Sequence, residues 1–157
     1  MPAQAQNKKS SNPLELNKEN LLGPWRLSAY EGRAEDGSIS YPFTKKPEGM
    51  LTYNADGSMM VIIMKPDRPR FESNDFSTGS DAEVRAAYEG FLAYCGRFVL
   101  DAQAGTVTHI PEQAHFPNWI GTQLVRFAEL TKGQLSLSTP PTLSGGKLRK
   151  FYLIWKR

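Results

Sequence analysis

The chain has 157 residues, of which 39% are hydrophobic and 22% are charged, and its formal net charge is +3. These values are typical of one globular domain and argue against nucleic-acid binding, which requires basic side chains gathered on one face with aromatic side chains for stacking. The densest apolar run, residues 59–64, is far shorter than the roughly 18 residues of a membrane span, and the single Cys95 has no partner for an internal disulfide.

Residues 1–17 are rich in Gln, Asn, Lys and Ser, and Pro13 interrupts any helix there. This composition predicts a disordered tail followed by one domain over residues 18–157. The first residues lack the apolar stretch of a secretory signal, and the cysteine usage does not indicate an oxidising compartment. We therefore expect a cytoplasmic protein without membrane or nucleic-acid partners.

Eight short segments with the apolar alternation of β-strands follow along the chain. The first places Trp25, Leu27 and Ala29 on one face and Tyr30 on the other. The predicted strands span residues 25–31, 49–54, 58–64, 94–100, 106–112, 122–130, 134–138 and 148–155, and residues 39–43 form a short strand or a rim segment. Short, evenly spaced strands predict an all-β fold, an eight-stranded antiparallel up-and-down barrel with room for one small ligand.

One helix is predicted between the third and fourth of these strands. Ser80-Asp81-Ala82-Glu83 has the pattern of a capping box, in which Ser80 is the N-cap and Glu83 reaches back to it. Apolar residues then recur at helical spacing: Val84, Ala87, Tyr88, Phe91 and Leu92. We expect this amphipathic helix to close one end of the barrel or to cover its wall at residues 59–64, which are apolar on both faces.

A series of short motifs runs in order along the chain. Gly23-Pro24-Trp25 stands at the head of the first strand and is similar to the Gly-x-Trp that opens lipocalin barrels. The further motifs are LGPWRL (22–27), GMLTY (49–53), MKPDRP (64–69), GTVTH (105–109), FPNWIG (116–121) and LSTPP (137–141). Together they resemble the lipocalin-like domain family; the resemblance covers residues 21–155 and implies a calycin-type barrel. Family members range from uncharacterised proteins to biosynthetic-cluster proteins linked to cyclisation or isomerisation, so the resemblance implies a fold more than a reaction.

The residues that we consider for chemistry are His109, His115, Tyr94 and Arg126. His109 shares the strand face of Val107, where an imidazole would act as general acid or base, or would be a buried core histidine. His115 lies in the 113–119 loop, either at the barrel mouth or simply on the surface. Tyr94 begins a strand just after the helix and is the best placed tyrosine to offer a phenol to a ligand.

Arg126 alternates with Leu124 and Ala128 along its strand. If this set points inward, the buried guanidinium needs an anionic ligand, or it stacks on Trp25 to close the barrel end. If the opposite face points inward, Arg126 lies in solvent. Alternation alone leaves both arrangements open.

Candidate ligand contacts come from the barrel wall, from the Pro-rich segment 65–71 and from the 113–119 loop: Tyr30, Tyr53, Met60, Ile62, Phe98, Arg70, Phe71, Asn118 and Trp119. Arg70 and Phe71 belong either to a lid or to a connection that the prolines merely stiffen. Asn118 and Trp119 are a polar and aromatic pair suited to a flat molecule. Most tyrosines in a barrel bury the ring and hydrate the hydroxyl, which is the alternative for Tyr30 and Tyr53.

No phosphate-binding loop, dinucleotide fingerprint or nucleophilic serine motif occurs, and the two histidines do not have metal-ligand spacing, so we expect no cofactor and no metal. The first hypothesis is a protein that binds a small hydrophobic or aromatic molecule inside the barrel. The alternative is a cofactor-free cyclase, isomerase or dehydratase that acts on a polyketide- or terpenoid-like intermediate of secondary metabolism. An interaction domain that forms a homodimer through strand edges ranks last, because a closed barrel leaves no free edge.

Overall fold

The strands form one closed antiparallel barrel in a computed structural model that describes residues 12–157. They are β1 (Gly23–Ala34), β2 (Ile39–Ser40), β3 (Glu48–Tyr53), β4 (Ser58–Met64), β5 (Phe91–Asp101), β6 (Thr106–Ala114), β7 (Leu124–Thr131), β8 (Gln134–Ser138), β9 (Thr142–Ser144) and β10 (Lys147–Lys156). Two α-helices, α1 (Lys18–Leu21) and α2 (Asp81–Glu89), and a 3₁₀ turn (Pro117–Trp119) complete the described chain.

Eight strands surround the interior in chain order, β1-β3-β4-β5-β6-β7-β8-β10, and β10 pairs with β1 to close the barrel. The short strands β2 and β9 extend the pairing of β1 and β10. The predicted eight-stranded up-and-down barrel is therefore confirmed. Closure satisfies the backbone hydrogen bonds of the strands without leaving an exposed edge around the wall.

Strict alternation along β4 separates the core from the outer surface. Val61 and Ile63 are 3% and 2% exposed and face inward, whereas Met60 and Ile62 are 48% and 38% exposed on the outer face. Because they lie on the outer face, Met60 and Ile62 do not line the barrel interior, which corrects their placement as ligand contacts in the cavity. The helix that we expected to cover this outer face leaves both side chains exposed.

A β-bulge changes the alternation in β1. Leu27 pairs with Trp155 and Ala29 with Ile154, so Ser28 is an extra residue with no partner on β10. The extra residue shifts the pattern by one position beyond the bulge. Tyr30 consequently lies opposite Leu153 on the inner face, although simple alternation predicts the face opposite to Trp25.

A second bulge lies in β6, next to the residues of the site. Cys95 pairs with Gln113 and Gly96 with Pro111, which leaves Glu112 as the extra residue. A Cβ atom at Gly96 would lie 2.2 Å from the carbonyl oxygen of Ile110, so the close approach of the two strands requires glycine at this position.

A cation stacks on the buried Trp25 and closes one end of the barrel. The Arg157 guanidinium lies 4.0 Å from the centre of the Trp25 ring, and it donates to the backbone carbonyl oxygens of Asn20 and Leu22, both at 2.7 Å. The indole N–H of Trp25 donates to the carbonyl oxygen of Leu21 at 2.9 Å. The stacking that we considered for Arg126 therefore exists, but Arg157 provides it.

Helix α2 begins with the predicted capping box: the Ser80 hydroxyl accepts from the Glu83 N–H, and the Glu83 carboxylate accepts from the Ser80 N–H. The helix ends at Glu89, so Phe91 and Leu92 of the predicted apolar stripe belong to β5 instead. Gly90 ends the helix, and its carbonyl oxygen accepts from the Lys65 N–H. This hydrogen bond extends the pairing of β4 with β5 by one position beyond Met64 and Phe91. No residue of α2 is buried, so the helix lies on the outer surface.

The predicted disordered tail spans residues 1–17, of which 1–11 lie outside the described residues. In the rest of that segment, the Leu14 N–H donates to the carbonyl oxygen of Leu130 at 2.8 Å. Asn17 is the N-cap of α1, where its side chain accepts from the Asn20 N–H. The described part of the segment thus contacts the barrel at β7 and leads into α1.

Candidate functional site

The barrel contains a cavity of about 150 Å³. Its apolar lining consists of Leu51, Val61, Ile63, Leu92, Leu124, Leu137, Phe151 and Leu153, together with Trp119 and Trp155. Its polar lining consists of Tyr30, Tyr94, His109, Arg126, Thr139 and Thr142. Thr142 is exposed and Trp119 is half-buried, so the cavity opens to solvent on their side.

His109 is the centre of a buried hydrogen-bonded chain. The Tyr53 hydroxyl lies 2.6 Å from its Nε2 atom, and the Tyr94 hydroxyl lies 2.7 Å from its Nδ1 atom. Burial, together with the positive charge of Arg126, holds the pKa of His109 well below its ordinary value. The imidazole is therefore neutral, with one N–H donor and one bare acceptor nitrogen.

The partners of Tyr53 determine which nitrogen of His109 carries the hydrogen. Tyr53 is buried, and among the described residues its hydroxyl has no hydrogen-bond partner other than Nε2. Tyr94 lines the cavity, where a ligand can accept its proton, and Tyr53 does not, so we infer that Tyr53 donates to Nε2 and that the hydrogen of His109 is on Nδ1. The Nδ1–H then donates to the Tyr94 oxygen, and the Tyr94 hydroxyl retains its own proton for an acceptor in the cavity.

Arg126 faces the cavity, because Leu124, Arg126 and Ala128 are the inward set of β7 and Phe127 is exposed. One arm of its guanidinium donates to the carbonyl oxygen of Val125 at 3.0 Å. No carboxylate among the described residues forms a salt bridge with it. The cavity thus contains a cation that no described side chain neutralises.

The tyrosines beside Arg126 are protonated. Burial raises the pKa of Tyr30 to about 12, although the charge of Arg126 acts in the opposite direction. Burial likewise raises the pKa of Tyr94, again against the effect of Arg126. Both phenols are therefore neutral groups that can donate a hydrogen bond to a ligand.

Aromatic rings form the entrance. Trp119 meets Tyr94 edge-on at 5.7 Å between ring centres, and Phe116 meets Trp119 edge-on at 5.4 Å. The 3₁₀ turn that starts at Pro117 places Trp119 over the cavity, while Asn118 is exposed and does not line it. The entrance thus offers flat apolar surfaces rather than polar groups.

The sequence of the barrel matches one family over nearly its whole length: residues 22–157 correspond to the lipocalin-like domain. The chain belongs to the lipocalin-like domain family. A relative from Aspergillus oryzae, named 4'-hydroxy-3'-methoxypropiophenone carrier protein ppsC, is 36% identical over 107 residues, which are 63% of this chain and 96% of the relative. The predicted resemblance is confirmed.

Within this lipocalin-like barrel, two predicted ligand contacts lie behind the cavity. Tyr53 acts through His109, and Phe98 packs edge-on against Tyr53 at 4.8 Å between ring centres. Neither side chain lines the cavity. Their contribution is to hold His109, and through it Tyr94, in a fixed position.

His115 lies outside the lipocalin-like cavity. Its ring stacks on Tyr88 of α2 at 4.1 Å and meets Phe91 edge-on at 5.5 Å between ring centres. It borders a groove of about 410 Å³ on the outer wall, together with Met60 and Ile62. His115 therefore joins α2 to the barrel and does not meet the other three candidates for chemistry.

The segment between β4 and α2 does not reach the cavity either. Arg70 and Phe71 are exposed, and neither lines the interior. The Glu72 N–H donates to the Glu83 carboxylate at 2.8 Å, which attaches this segment to the start of α2. In this structure the segment lies beside the helix and not over the entrance as a lid.

The cavity of the lipocalin-like barrel also includes residues that were not among the candidates. Trp155 belongs to the inward set of β10, and its buried indole N–H has no hydrogen-bond partner among the described residues. Thr139 and Thr142 lie on either side of Pro140 and Pro141 and line the same cavity. The alternation of the last strand predicted the inward face of Trp155, but nothing in its sequence distinguished a core residue from a cavity residue.

Neither a membrane-spanning helix nor a metal-ligand cluster occurs in the described chain. None of its helices has both the length and the apolar character needed to cross a membrane. Within residues 12–157, no three side chains of the His, Cys, Asp and Glu types are grouped so that they could hold a metal ion.

Proposed function

We propose that this protein binds one small aromatic molecule, with a single ring and an oxygen acceptor, inside its barrel and acts as a carrier for it. The observation that supports this proposal is the combination of an apolar cavity of ring size with hydrogen-bond donors at Arg126 and Tyr94. Both features concern the same enclosed volume, so one ligand would meet both.

Size limits the ligand to about one ring. An engineered protein cavity of about 150 Å³, lined by apolar side chains, binds one benzene molecule. The cavity here is about 150 Å³, and its walls are aliphatic and aromatic. A single ring would fit between these walls, and larger substituents would extend past Trp119 and Thr142 toward solvent.

Polarity selects a ligand that accepts hydrogen bonds. The described lining includes no Asp or Glu, whereas Arg126, the Tyr94 hydroxyl and the unpartnered N–H of Trp155 are donors. Leaving buried donors without acceptors costs about 1–3 kcal/mol each, so a carbonyl or phenolic oxygen in the cavity would be stabilising. A purely hydrocarbon ligand would forfeit this contribution.

The relative from Aspergillus oryzae is consistent with this ligand class. Its name describes a carrier of an aryl ketone with a phenol and a methoxy group, which is a single ring with oxygen acceptors. We extend to this chain the class of ligand, a substituted aryl ketone or phenol, and the role of carrier. A part in secondary metabolism follows from the same extension.

The cavity favours a carrier over an enzyme because it offers no free base. Both ring nitrogens of His109 are occupied by Tyr53 and Tyr94, and its pKa is lowered, so it is poorly placed to take a proton from a ligand. The cyclase, isomerase or dehydratase hypothesis therefore ranks second. The cytoplasmic location, the homodimer and the absence of nucleic-acid partners stay predictions from the sequence.

Binding can be tested by titrating the protein with 4'-hydroxy-3'-methoxypropiophenone and following tryptophan fluorescence, since Trp119 and Trp155 line the cavity. We expect saturable one-to-one binding that Tyr94→Phe weakens by about three- to thirtyfold, the loss of one hydrogen bond. The control Tyr41→Phe alters an exposed tyrosine outside the cavity and leaves the affinity unchanged. No saturable binding of this or any other single-ring aryl ketone would contradict the proposal, and conversion of the ligand would favour the second hypothesis.

A further inference from the structure

Among residues 12–157, the charge of Arg126 has no counter-ion. The salt bridges of the described chain are Arg33–Glu31, Arg85–Glu89 and Lys147–Asp36, and all three lie on the outer surface. Glu129 on the same strand as Arg126 is exposed and has the opposite strand parity. The guanidinium inside the cavity is therefore uncompensated within residues 12–157.

Among the described residues, the titratable groups that face Arg126 from other strands of the barrel are neutral. These groups are Tyr30 on β1, Tyr53 on β3, Tyr94 on β5 and His109 on β6. The tyrosines are protonated because burial raises their pKa, and the imidazole is unprotonated because burial lowers its pKa. From β8 and β10 the cavity receives Leu137, Phe151, Leu153 and Trp155, which carry no charge. A negative charge beside Arg126 must then come from the ligand.

A partly desolvated cation favours the charged form of an acidic neighbour. Removing a charge from water is costly, and an opposite charge within about 4–6 Å recovers part of that cost. An aromatic ligand that enters the cavity also removes water from Arg126, which strengthens the attraction to an ionised oxygen. The same ligand in its neutral form would displace water without providing the counter-charge.

We propose that the cavity selects the ionised form of its ligand, a phenolate whose oxygen lies against the Arg126 guanidinium and the Tyr94 hydroxyl. This proposal rests on the proposed function, since it concerns the same cavity. The hydrogen-bonded chain from Tyr53 through His109 leaves the Tyr94 proton directed to an acceptor, so one charged donor and one neutral donor serve the same oxygen. The ligand class is an acidic phenol, such as one conjugated to a carbonyl or nitro group.

A phenolate suits these donors better than a carboxylate does. A carboxylate has two oxygens with about four acceptor sites to satisfy. Part of the Arg126 guanidinium is already occupied by the carbonyl oxygen of Val125. The other N–H groups of Arg126 and the Tyr94 hydroxyl suffice for one ring oxygen, whereas a carboxylate would bring a second charged oxygen into a lining that is mostly apolar.

The test uses 4-nitrophenol, a single-ring acid whose phenolate has a visible absorption band that the phenol lacks. The affinity of each form is measured by equilibrium dialysis below and above the pKa of the probe, and the bound form is read from its absorption. We expect the phenolate to bind at least about tenfold more tightly than the phenol, which lowers the apparent pKa of the bound probe by at least about 1 unit. 4-Nitroanisole, which cannot ionise, serves as the neutral reference ligand.

Variants assign the selectivity to Arg126. Arg126→Met removes the charge at similar length, and we expect the ratio of phenolate to phenol affinity to fall to about 1–2. Arg126→Lys keeps the charge and retains part of the ratio, which also guards against a variant that fails to fold. Arg97→Met makes the same change on the exposed face of β5 and leaves the ratio unchanged.

The outcomes separate the two proposals. If neither 4-nitrophenol nor 4-nitroanisole nor an aryl ketone binds, the proposed function fails. If they bind and the two forms of 4-nitrophenol have equal affinity, or the phenol binds more tightly, ion selection is wrong and the binding function stands. A preference for phenolate that survives in Arg126→Met also overturns the role of this residue.

Discussion

The Tyr53 hydroxyl lies 2.6 Å from Nε2 of His109, although the two residues are 56 positions apart and belong to β3 and β6. Neither strand neighbours the other in the sheet, so the contact crosses the interior of the barrel. Both side chains are buried, and each satisfies a polar atom of the other. The pair therefore fixes the ring of His109 from behind, on the side away from the cavity.

Replacement of Tyr53 by Phe should destabilise the protein. The change removes the donor to Nε2 and leaves a buried nitrogen unsatisfied, which costs about 1–3 kcal/mol. Urea unfolding followed by circular dichroism measures the loss as a lower midpoint at constant slope. Tyr41→Phe, at an exposed ring, is the matched control and should change stability by less than about 0.5 kcal/mol. Equal stability of the two variants would show that the Tyr53 hydroxyl donates elsewhere.

His109 should make stability fall in mild acid. Its folded-state pKa is well below the ordinary value of 6.5, so the unfolded chain binds a proton first as the pH falls. Stability is therefore fully present above about pH 6.5 and is lost below it, by up to about 1.4 kcal/mol per pH unit for one proton.

Replacement of His109 by Gln tests this pH dependence. We expect the variant to be less stable at neutral pH and to lose less stability between pH 6.5 and pH 5, where carboxylates contribute less. His115→Gln is the comparison, because the pKa of His115 is lowered too, but this ring lies near the surface. Its replacement should remove a smaller part of the slope. An unchanged slope in His109→Gln would contradict a neutral, buried imidazole.

The barrel could be predicted from the sequence because alternation and turn residues act locally, and the inward faces of β4 and β10 follow from it directly. The orientation of Tyr30 could not be predicted, since the bulge at Ser28 shifts the alternation and no glycine or proline marks it. The contacts of His109 arise from closure, which brings together strands that are distant in the chain. Alternation left the position of Arg126 open, and the stacking on Trp25 that we considered for it is made by Arg157, at the far end of the chain.

Replacement of Arg157 by Gln should weaken the closed end without affecting the ligand. The change removes the cation over Trp25 and its charged hydrogen bonds to Asn20 and Leu22. Since a cation–π contact at a partly exposed site contributes about 0.5–1 kcal/mol and the hydrogen bonds add to it, we expect a loss of about 1–2 kcal/mol. Thermal unfolding measures this loss, and the affinity for an aryl ketone should stay within about twofold. A large loss of affinity would show that this end of the barrel takes part in binding.

Two adjacent isoleucines on β4 provide a matched test of whether the ligand binds inside the barrel or on its outer face. Ile63 is 2% exposed and lines the cavity, whereas Ile62 is 38% exposed on the outer face. Ile63→Ala should cost about 2–5 kcal/mol and enlarge the cavity, whereas Ile62→Ala should cost less than about 1 kcal/mol. The enlarged cavity should shift the preference of Ile63→Ala toward aryl ketones with a longer acyl chain, while Ile62→Ala keeps the preference of the natural protein. Affinity measurements with a series of acyl chain lengths check this shift, and the same shift in both variants would mean that the ligand binds in the outer groove beside Met60 and His115.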